Sequence, residues 1–216
     1  MNDIKDLTGF TYSVDSIGRK LKDIKGLRPY VYRVDIENTI ISNPDNHTVR
    51  KLSAMKGQYM DETAYENLLK LGDITVYEVY DQLVPEIPGE LIHGMSIVHP
   101  GKVGKEYFMT KGHFHSILDT AELYHCLKGH GYMMLETPEG EFCAKELTPN
   151  VVLHVPGKWA HRSINVGEED FVTFMIAPAD SGHDYATIEK KGFRKLLIEE
   201  NGKPKIIDNP KWKQNG

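Results

Sequence analysis

Thr110-Lys111-Gly112-His113-Phe114-His115 is the stretch on which the reading of this chain turns, together with Glu122 and, further on, Pro156-Gly157-Lys158-Trp159-Ala160-His161. Side chains alternate between faces in a strand, so on a strand the imidazoles of His113 and His115 point the same way from Cα atoms about 6.6 Å apart. Two rings so placed can converge on one ion at about 2.0–2.1 Å per bond if it is zinc-like. Glu122 reads as the carboxylate at the start of the next strand. His161, after a proline-containing turn, reads as closing the site from the opposite side of a barrel. Three imidazoles and one carboxylate suit iron, manganese, zinc or nickel and do not suit calcium or an iron–sulfur cluster. Phe114 faces away from the pair and reads as core.

Outward from that stretch the sequence is strand-like. Runs at 76–80, 94–98, 107–109, 122–127, 132–135, 151–155 and 171–176 are short and rich in β-branched and aromatic residues, with Gly, Pro, Asn and Asp between them. That rhythm describes a sandwich or barrel. Near the end, 195–198 and 205–207 flank Asn201-Gly202, a strong two-residue hairpin signal. One helix is well marked: Asp61 can cap it, Ala64, Tyr65, Leu68, Leu69 and Leu71 give it an apolar face, and Gly72 ends it. A second, short helix is expected from about 184 to 191, closed by Gly192. The fold class is therefore all-β. The expected organisation is one domain: a helix-bearing N-terminal extension over 1–74, a barrel core over 75–177, and a C-terminal helix and hairpin over 178–216.

Composition excludes several function classes. Two cysteines in 216 residues cannot form a disulfide framework. With 26 basic and 31 acidic residues and a net charge of -5, no basic excess recommends nucleic acid. No window approaches the ~18 apolar residues of a membrane helix. The start, MNDIKDLTGF, has neither an apolar signal core nor a transit-peptide character, so a cytoplasmic location is expected. Nine of the ten histidines lie between His93 and His183, which concentrates the expected chemistry there.

The two blocks resemble the paired motifs of the cupin superfamily: His-x-His, then Glu122 and Gly129, and later Pro156, His161 and Asn165. Six residues separate His115 from Glu122, a longer gap than cupins usually have. Asn150 stands where Gly usually precedes the second-block proline, and Lys158 stands where Gly usually follows it. With the blocks at 99–106, 110–115, 121–124, 138–140, 159–162 and 178–185, the chain closely resembles the cupin-type glucose-6-phosphate isomerases from about residue 48 to 212. The resemblance implies a cupin barrel (a double-stranded β-helix, or jelly roll) that interconverts glucose 6-phosphate and fructose 6-phosphate in glycolysis and gluconeogenesis. It implies a homodimer with one divalent metal per subunit, Fe2+ first, with Mn2+, Zn2+ or Ni2+ compatible. By the same resemblance His113, His115, Glu122 and His161 hold the metal. Tyr77, Ser96, Thr110 and Gly112 hold the phosphate, and Tyr124, His183 and Tyr185 lie near the sugar. A further family tyrosine falls at Ala177.

Moving a hydrogen between C1 and C2 of a sugar calls for a Lewis acid on the two oxygens. In the enediol route Glu122 would also be the base. Ligation stabilises the charge on a carboxylate and weakens it as a base. A direct C1–C2 hydride shift, which needs no base, therefore stays open. Gly101, Gly104 and Gly112 permit close backbone approach to a phosphate, and Lys102, Lys105 and Lys111 are expected helpers. His183 is expected to shuttle a proton, having a pKa near neutrality. Two rival readings remain at this point. An iron-dependent cupin dioxygenase uses the same ligand set, and a cupin can bind metal or sugar phosphate without catalysis.

Overall fold

The computed structural model describes residues 30–212, whose backbone is mostly extended. Strands β1 (Val34–Asp35) and β2 (Ile40–Ile41) pair as a small hairpin. Strand β3 (Asn46–Lys51), a 3-10 turn (Leu52–Met55) and helix α1 (Glu62–Leu71) lead into β4 (Thr75–Gln82) and β5 (Leu91–Val98). The short β6 (Lys102–Val103) and β7 (Glu106–Tyr107) precede the motif stretch. Beyond it run β8 (Glu122–Lys128), β9 (Gly131–Glu136), β10 (Phe142–Leu147), β11 (Val152–Val155), β12 (Ala160–Asn165) and β13 (Phe171–Pro178). Helix α2 (Tyr185–Lys191) and the hairpin of β14 (Lys195–Glu200) and β15 (Lys203–Asp208) follow.

A six-stranded antiparallel sheet, in the order β11-β8-β13-β5-β4-β3, and a three-stranded sheet, β10-β9-β12, share one core. Tyr77, Val98, Tyr124 and Cys126 from the first sheet meet Met133, Met134 and Ile164 from the second. Strand β8 shows why the sheet has two faces. Glu122, Tyr124 and Cys126 are buried while Leu123 is exposed, the period-2 alternation of a strand with one face inward. His125 accordingly points away from Glu122. A second apolar cluster (Ile41, Met95, Ile97 and Val172) covers the outer face, where Tyr32 and Val34 pack on it. The fold is of the expected all-β class, with two sheets enclosing one core.

Local signals hold well. Asp61 caps α1 by accepting from Ala64 N at 2.8 Å, and Gly72 ends it. Asp184 caps α2 and Gly192 closes it. Asn201 and Gly202, at φ 52° and 73°, make the two-residue turn between β14 and β15. Leu71, placed on the apolar face by spacing, is instead 87% exposed, because the helix ends there and the chain turns away.

Three expectations are corrected. Residues 46–51 are not an appendage packed on the barrel; β3 pairs with β4 and forms the edge of the six-stranded sheet. His113 and His115 are not on a regular strand: between β7 and β8 only Met109, His113 and Phe114 form isolated bridges, and His115 follows them. The Lys-rich end at 209–213, whose composition reads as a solvated tail, is held against the fold through Trp212. Asn209 Nδ2 donates to Phe193 O at 2.7 Å, Lys211 pairs with Glu62 at 2.6 Å, and the Arg194 guanidinium lies 4.3 Å from the Trp212 ring. Residues 1–29 of the expected extension, and Lys213, lie outside the described residues.

Candidate metal centre and its cavity

His113 and His161 are held together by the backbone. His161 N donates to His113 O at 3.1 Å and His113 N donates to His161 O at 3.3 Å. His161 therefore reaches the site from the neighbouring strand β12 and not from across the barrel, because the motif stretch itself pairs with β12. Glu122 opens β8 on the facing sheet, so the cluster bridges the two sheets. One ligand atom from each of His113, His115, Glu122 and His161 lies within 4.8 Å of all the others.

The hydrogen bonds around these rings test whether the cluster suits a cation. His115 Nδ1 faces Thr120 O at 3.0 Å, and His161 Nδ1 faces Trp159 O at 3.2 Å. A carbonyl only accepts, so each Nδ1 carries the proton and each neutral ring presents a lone pair at Nε2. Those Nε2 atoms lie 3.0 and 2.9 Å from Glu122 Oε2, and His113 Nε2 is buried without a hydrogen-bond partner. Lone pairs aimed at a carboxylate oxygen repel it unless a proton or a metal ion lies among them. The donor set fits a divalent transition metal.

The electrostatics agree. Burial alone would raise the Glu122 carboxyl, but the imidazoles of His161, His115 and His113 hold it well below the ordinary range. Burial, the largest influence, disfavours charge on His115, yet the contact with Glu122, the charge of that carboxylate and the Thr120 carbonyl together raise it. His113 moves the other way, lowered well below its ordinary value by burial and by the charge of His161. Tyr124 is raised by burial and by the Glu122 carboxylate beside it.

A cavity of about 160 Å³ opens from the cluster. It brings together Tyr77, Ser96, Thr110, Gly112, Tyr124, His183 and Tyr185 with His113, Glu122 and His161. His115 is a buried member of the cluster and does not line the cavity. His183 stacks on Tyr185 with ring centroids 5.8 Å apart and stands 4.6 Å from the His113 ring. Burial and the neighbouring imidazoles lower the His183 pKa. Burial pushes Tyr185 up to about 12. Ala177 lines the cavity where the resembled family carries a tyrosine.

Some expected phosphate groups are elsewhere. Gly101 lies under the Phe108 ring and Gly104 against Asp61 and Ala64. Neither lines the cavity. Lys102 is paired with Glu199 outside the cavity, whereas Lys111 lines it and is paired with Glu189 at 2.8 Å. Other cavity residues were not anticipated: Thr48 and Arg50 on β3, Asp81 on β4 and Ser163 on β12. Tyr77 faces this cavity, so whatever strand pairs beside it adds its own side chains to the wall. Register puts Arg50 there, but the sequence does not name that partner strand. A second cavity, about 420 Å³, lies on the Arg162 side of β12 and includes none of the expected site residues.

Fold and site together define an all-β protein whose two sheets enclose a candidate metal centre with a polar cavity beside it. The model of the family described as glucose-6-phosphate isomerase (GPI) matches residues 49–213, and the chain belongs to that family. It is 48% identical over 190 residues to a glucose-6-phosphate isomerase of Thermococcus litoralis, covering 88% of this chain and 100% of the relative. It is 49% identical over 186 residues to that of Pyrococcus furiosus, covering 86% and 98%. Among solved structures, an oxalate decarboxylase of Bacillus subtilis is similar at 20% identity and a TM-score of 0.39, over 50% of this chain and 27% of that one.

Proposed function

We propose that this chain is a metal-dependent aldose–ketose isomerase interconverting D-glucose 6-phosphate and D-fructose 6-phosphate. The observation that carries the reading is a single cavity that joins the imidazole–carboxylate cluster to hydroxyls and a glycine suited to a phosphate, in a chain of the isomerase family. The family does not favour a dioxygenase or a binding-only cupin. No helix among the described residues is long and apolar enough to cross a membrane. The resemblance supports a cytoplasmic homodimer at the glycolytic and gluconeogenic step, built as a single cupin domain.

His113, His115, Glu122 and His161 would hold the metal, for which we assign Fe2+; the ligand chemistry also admits Mn2+, Zn2+ and Ni2+. Bound there, a divalent metal supplies Lewis acidity toward the carbonyl and hydroxyl oxygens of the sugar. Tyr77, Ser96, Thr110 and Gly112 bind the phosphate end. Tyr124 and Tyr185 orient the sugar. His183, stacked on Tyr185 at the cavity, moves a proton between a sugar oxygen and solvent. In the enediol route Glu122 takes the C2 proton. Its engagement with His115 and His161 weakens it as a base and favours a second reading, the direct hydride shift.

Stripping the metal with a chelator, reloading single metals and assaying fructose 6-phosphate without oxygen tests the function. Activity lost on stripping and restored on reloading is expected; a reloaded protein inert toward fructose 6-phosphate would refute it. Running the reaction in D2O separates the routes: solvent deuterium at the transferred carbon supports Glu122 as base, and its absence supports the shift.

A further inference from the structure

Arg50 was not anticipated by any motif, yet it is the cation on the wall of the cavity that has no anion of its own. It lies in β3 directly across from Tyr77 in β4, and the two share the inward face of the six-stranded sheet. Its neighbours are neutral donors: Thr48 two residues away on the same face, Tyr77, and Ser96 on β5, whose hydroxyl is buried and finds no hydrogen-bond partner. Among the described residues no carboxylate lies within ion-pair distance of Arg50. Two carboxylates also line the cavity, Glu122 of the cluster and Asp81, which accepts from Asn46 Nδ2 at 3.2 Å.

The lysines expected to balance a phosphate are committed to partners or lie outside the cavity. Lys102 pairs with Glu199, Lys111 pairs with Glu189, and Lys105 does not line the cavity. Hydroxyls and a glycine N–H recognise the shape of a phosphate but leave its two charges unbalanced. A planar guanidinium beside them supplies the charge and a forked pair of donors. The Arg50 charge lowers the Tyr77 and Tyr185 hydroxyls against the rise that burial imposes on both.

We propose that Arg50 binds the substrate phosphate and is the residue by which this site selects a phosphorylated sugar over a free one. The proposal rests on the isomerase reading above. The ligand it commits to is a monoester phosphate dianion at the end of the cavity away from the metal cluster.

The test uses the full metal-loaded chain with Arg50→Met and Arg50→Lys. Kinetics with fructose 6-phosphate, inhibition by inorganic phosphate and calorimetric binding of inorganic phosphate are measured, with metal content and melting temperature alongside. Arg50→Met is expected to lower kcat/KM by roughly 10- to 100-fold, mainly through KM, and to weaken phosphate inhibition and binding in parallel. Arg50→Lys recovers part of the loss, since it keeps the charge without the fork. Metal content stays at the unsubstituted level. If Arg50→Met keeps KM and phosphate inhibition within about twofold while the unsubstituted chain turns over fructose 6-phosphate, the proposal is overturned. If the unsubstituted chain is inert, the isomerase reading fails. Phosphate binding then decides Arg50 alone: weaker binding by Arg50→Met supports its role, and equal binding overturns it.

Discussion

Replacing Gly112 by alanine, compared with the same change at Gly202, isolates how tightly the metal centre depends on one backbone position. Both glycines occupy the left-handed region, at φ 75° and 73°. Alanine there costs about 1–2 kcal/mol on conformation alone, the same at either site. The surroundings differ. A Cβ on Gly202 meets nothing within 4 Å, whereas one on Gly112 would stand 2.6 Å from Phe193 Cε2 and 3.0 Å from the His161 carbonyl oxygen. Phe193 is fully buried, and the Arg162 guanidinium lies 4.4 Å from its ring. The ring has little room to retreat, and the carbonyl belongs to a ligand residue. Forcing a methyl into such a place adds about 1–3 kcal/mol.

Gly112→Ala should therefore destabilise the metal-free protein by roughly 2 kcal/mol more than Gly202→Ala, or about 4–8 °C in melting temperature for a domain of this size. Metal-free samples are required because a bound ion would stabilise by mass action and hide the difference. The strain at Gly112 also falls on the paired backbone of His113 and His161. Metal affinity should drop by about 10- to 100-fold in Gly112→Ala, as it does when groups that orient ligands are disturbed, and should be unchanged in Gly202→Ala. Equal melting temperatures for the two variants, with equal metal affinity, would refute both the steric argument and the link from this turn to the cluster.

His161→Ala should reduce bound metal by more than about tenfold, since even groups that only orient ligands are worth that much, and activity should fall in proportion; full metal and full rate by elemental analysis and assay would remove His161 from the ligand set. Lys158 sits at φ 73° in the turn before β12, where a side chain is strained and glycine is not. Lys158→Gly should stabilise the protein by about 0.5–1 kcal/mol in thermal melts, the relief of strain exceeding glycine's entropy cost, and a destabilised variant would show the strain to be absent. Glu106 is pushed up to about 6 by burial, against an ordinary 4.5. The folded state thus binds this proton more tightly than the unfolded one, so the associated stability is complete below pH 4.5 and is lost as pH rises through 6. Relative to Glu106→Gln, the unsubstituted protein should lose about 2 kcal/mol across that interval in denaturant titrations; a constant difference between the two would refute the buried-proton account.

What could be read from the sequence shares a physical property: it is fixed over a few residues. Asp61 and Gly72 bound α1 because caps act within one turn, and Asn201-Gly202 makes its hairpin because the turn itself demands positive φ. The members of the imidazole–carboxylate cluster were legible because coordination chemistry constrains residue type and spacing together. His113 and His115 come from one extended stretch and Glu122 opens the next strand, so a donor count was enough to join them. Asn150 illustrates the same locality: standing where the motif usually has glycine, it takes φ 74°, a conformation asparagine tolerates.

What could not be read depends on which strands lie side by side. His161 was expected from across the barrel and instead exchanges backbone hydrogen bonds with His113, a pairing that no residue within the motif announces. The lysine pairings were hidden for the same reason, since Glu189 and Glu199, the carboxylates that pair with Lys111 and Lys102, lie 78 and 97 positions away along the chain. Arg50 is the converse case. Its segment reads as a polar extension because its strand is an edge with only one face against the barrel, and edge strands carry polar residues whether or not they serve a site. Only the register that sets Arg50 across from Tyr77 turns it from a surface cation into a cavity one. In this fold the candidate metal end of the site is written in two motif blocks, whereas the end that we assign to the phosphate charge is assembled by sheet order. Substitutions on β3 are therefore expected to alter substrate selection without altering the metal cluster.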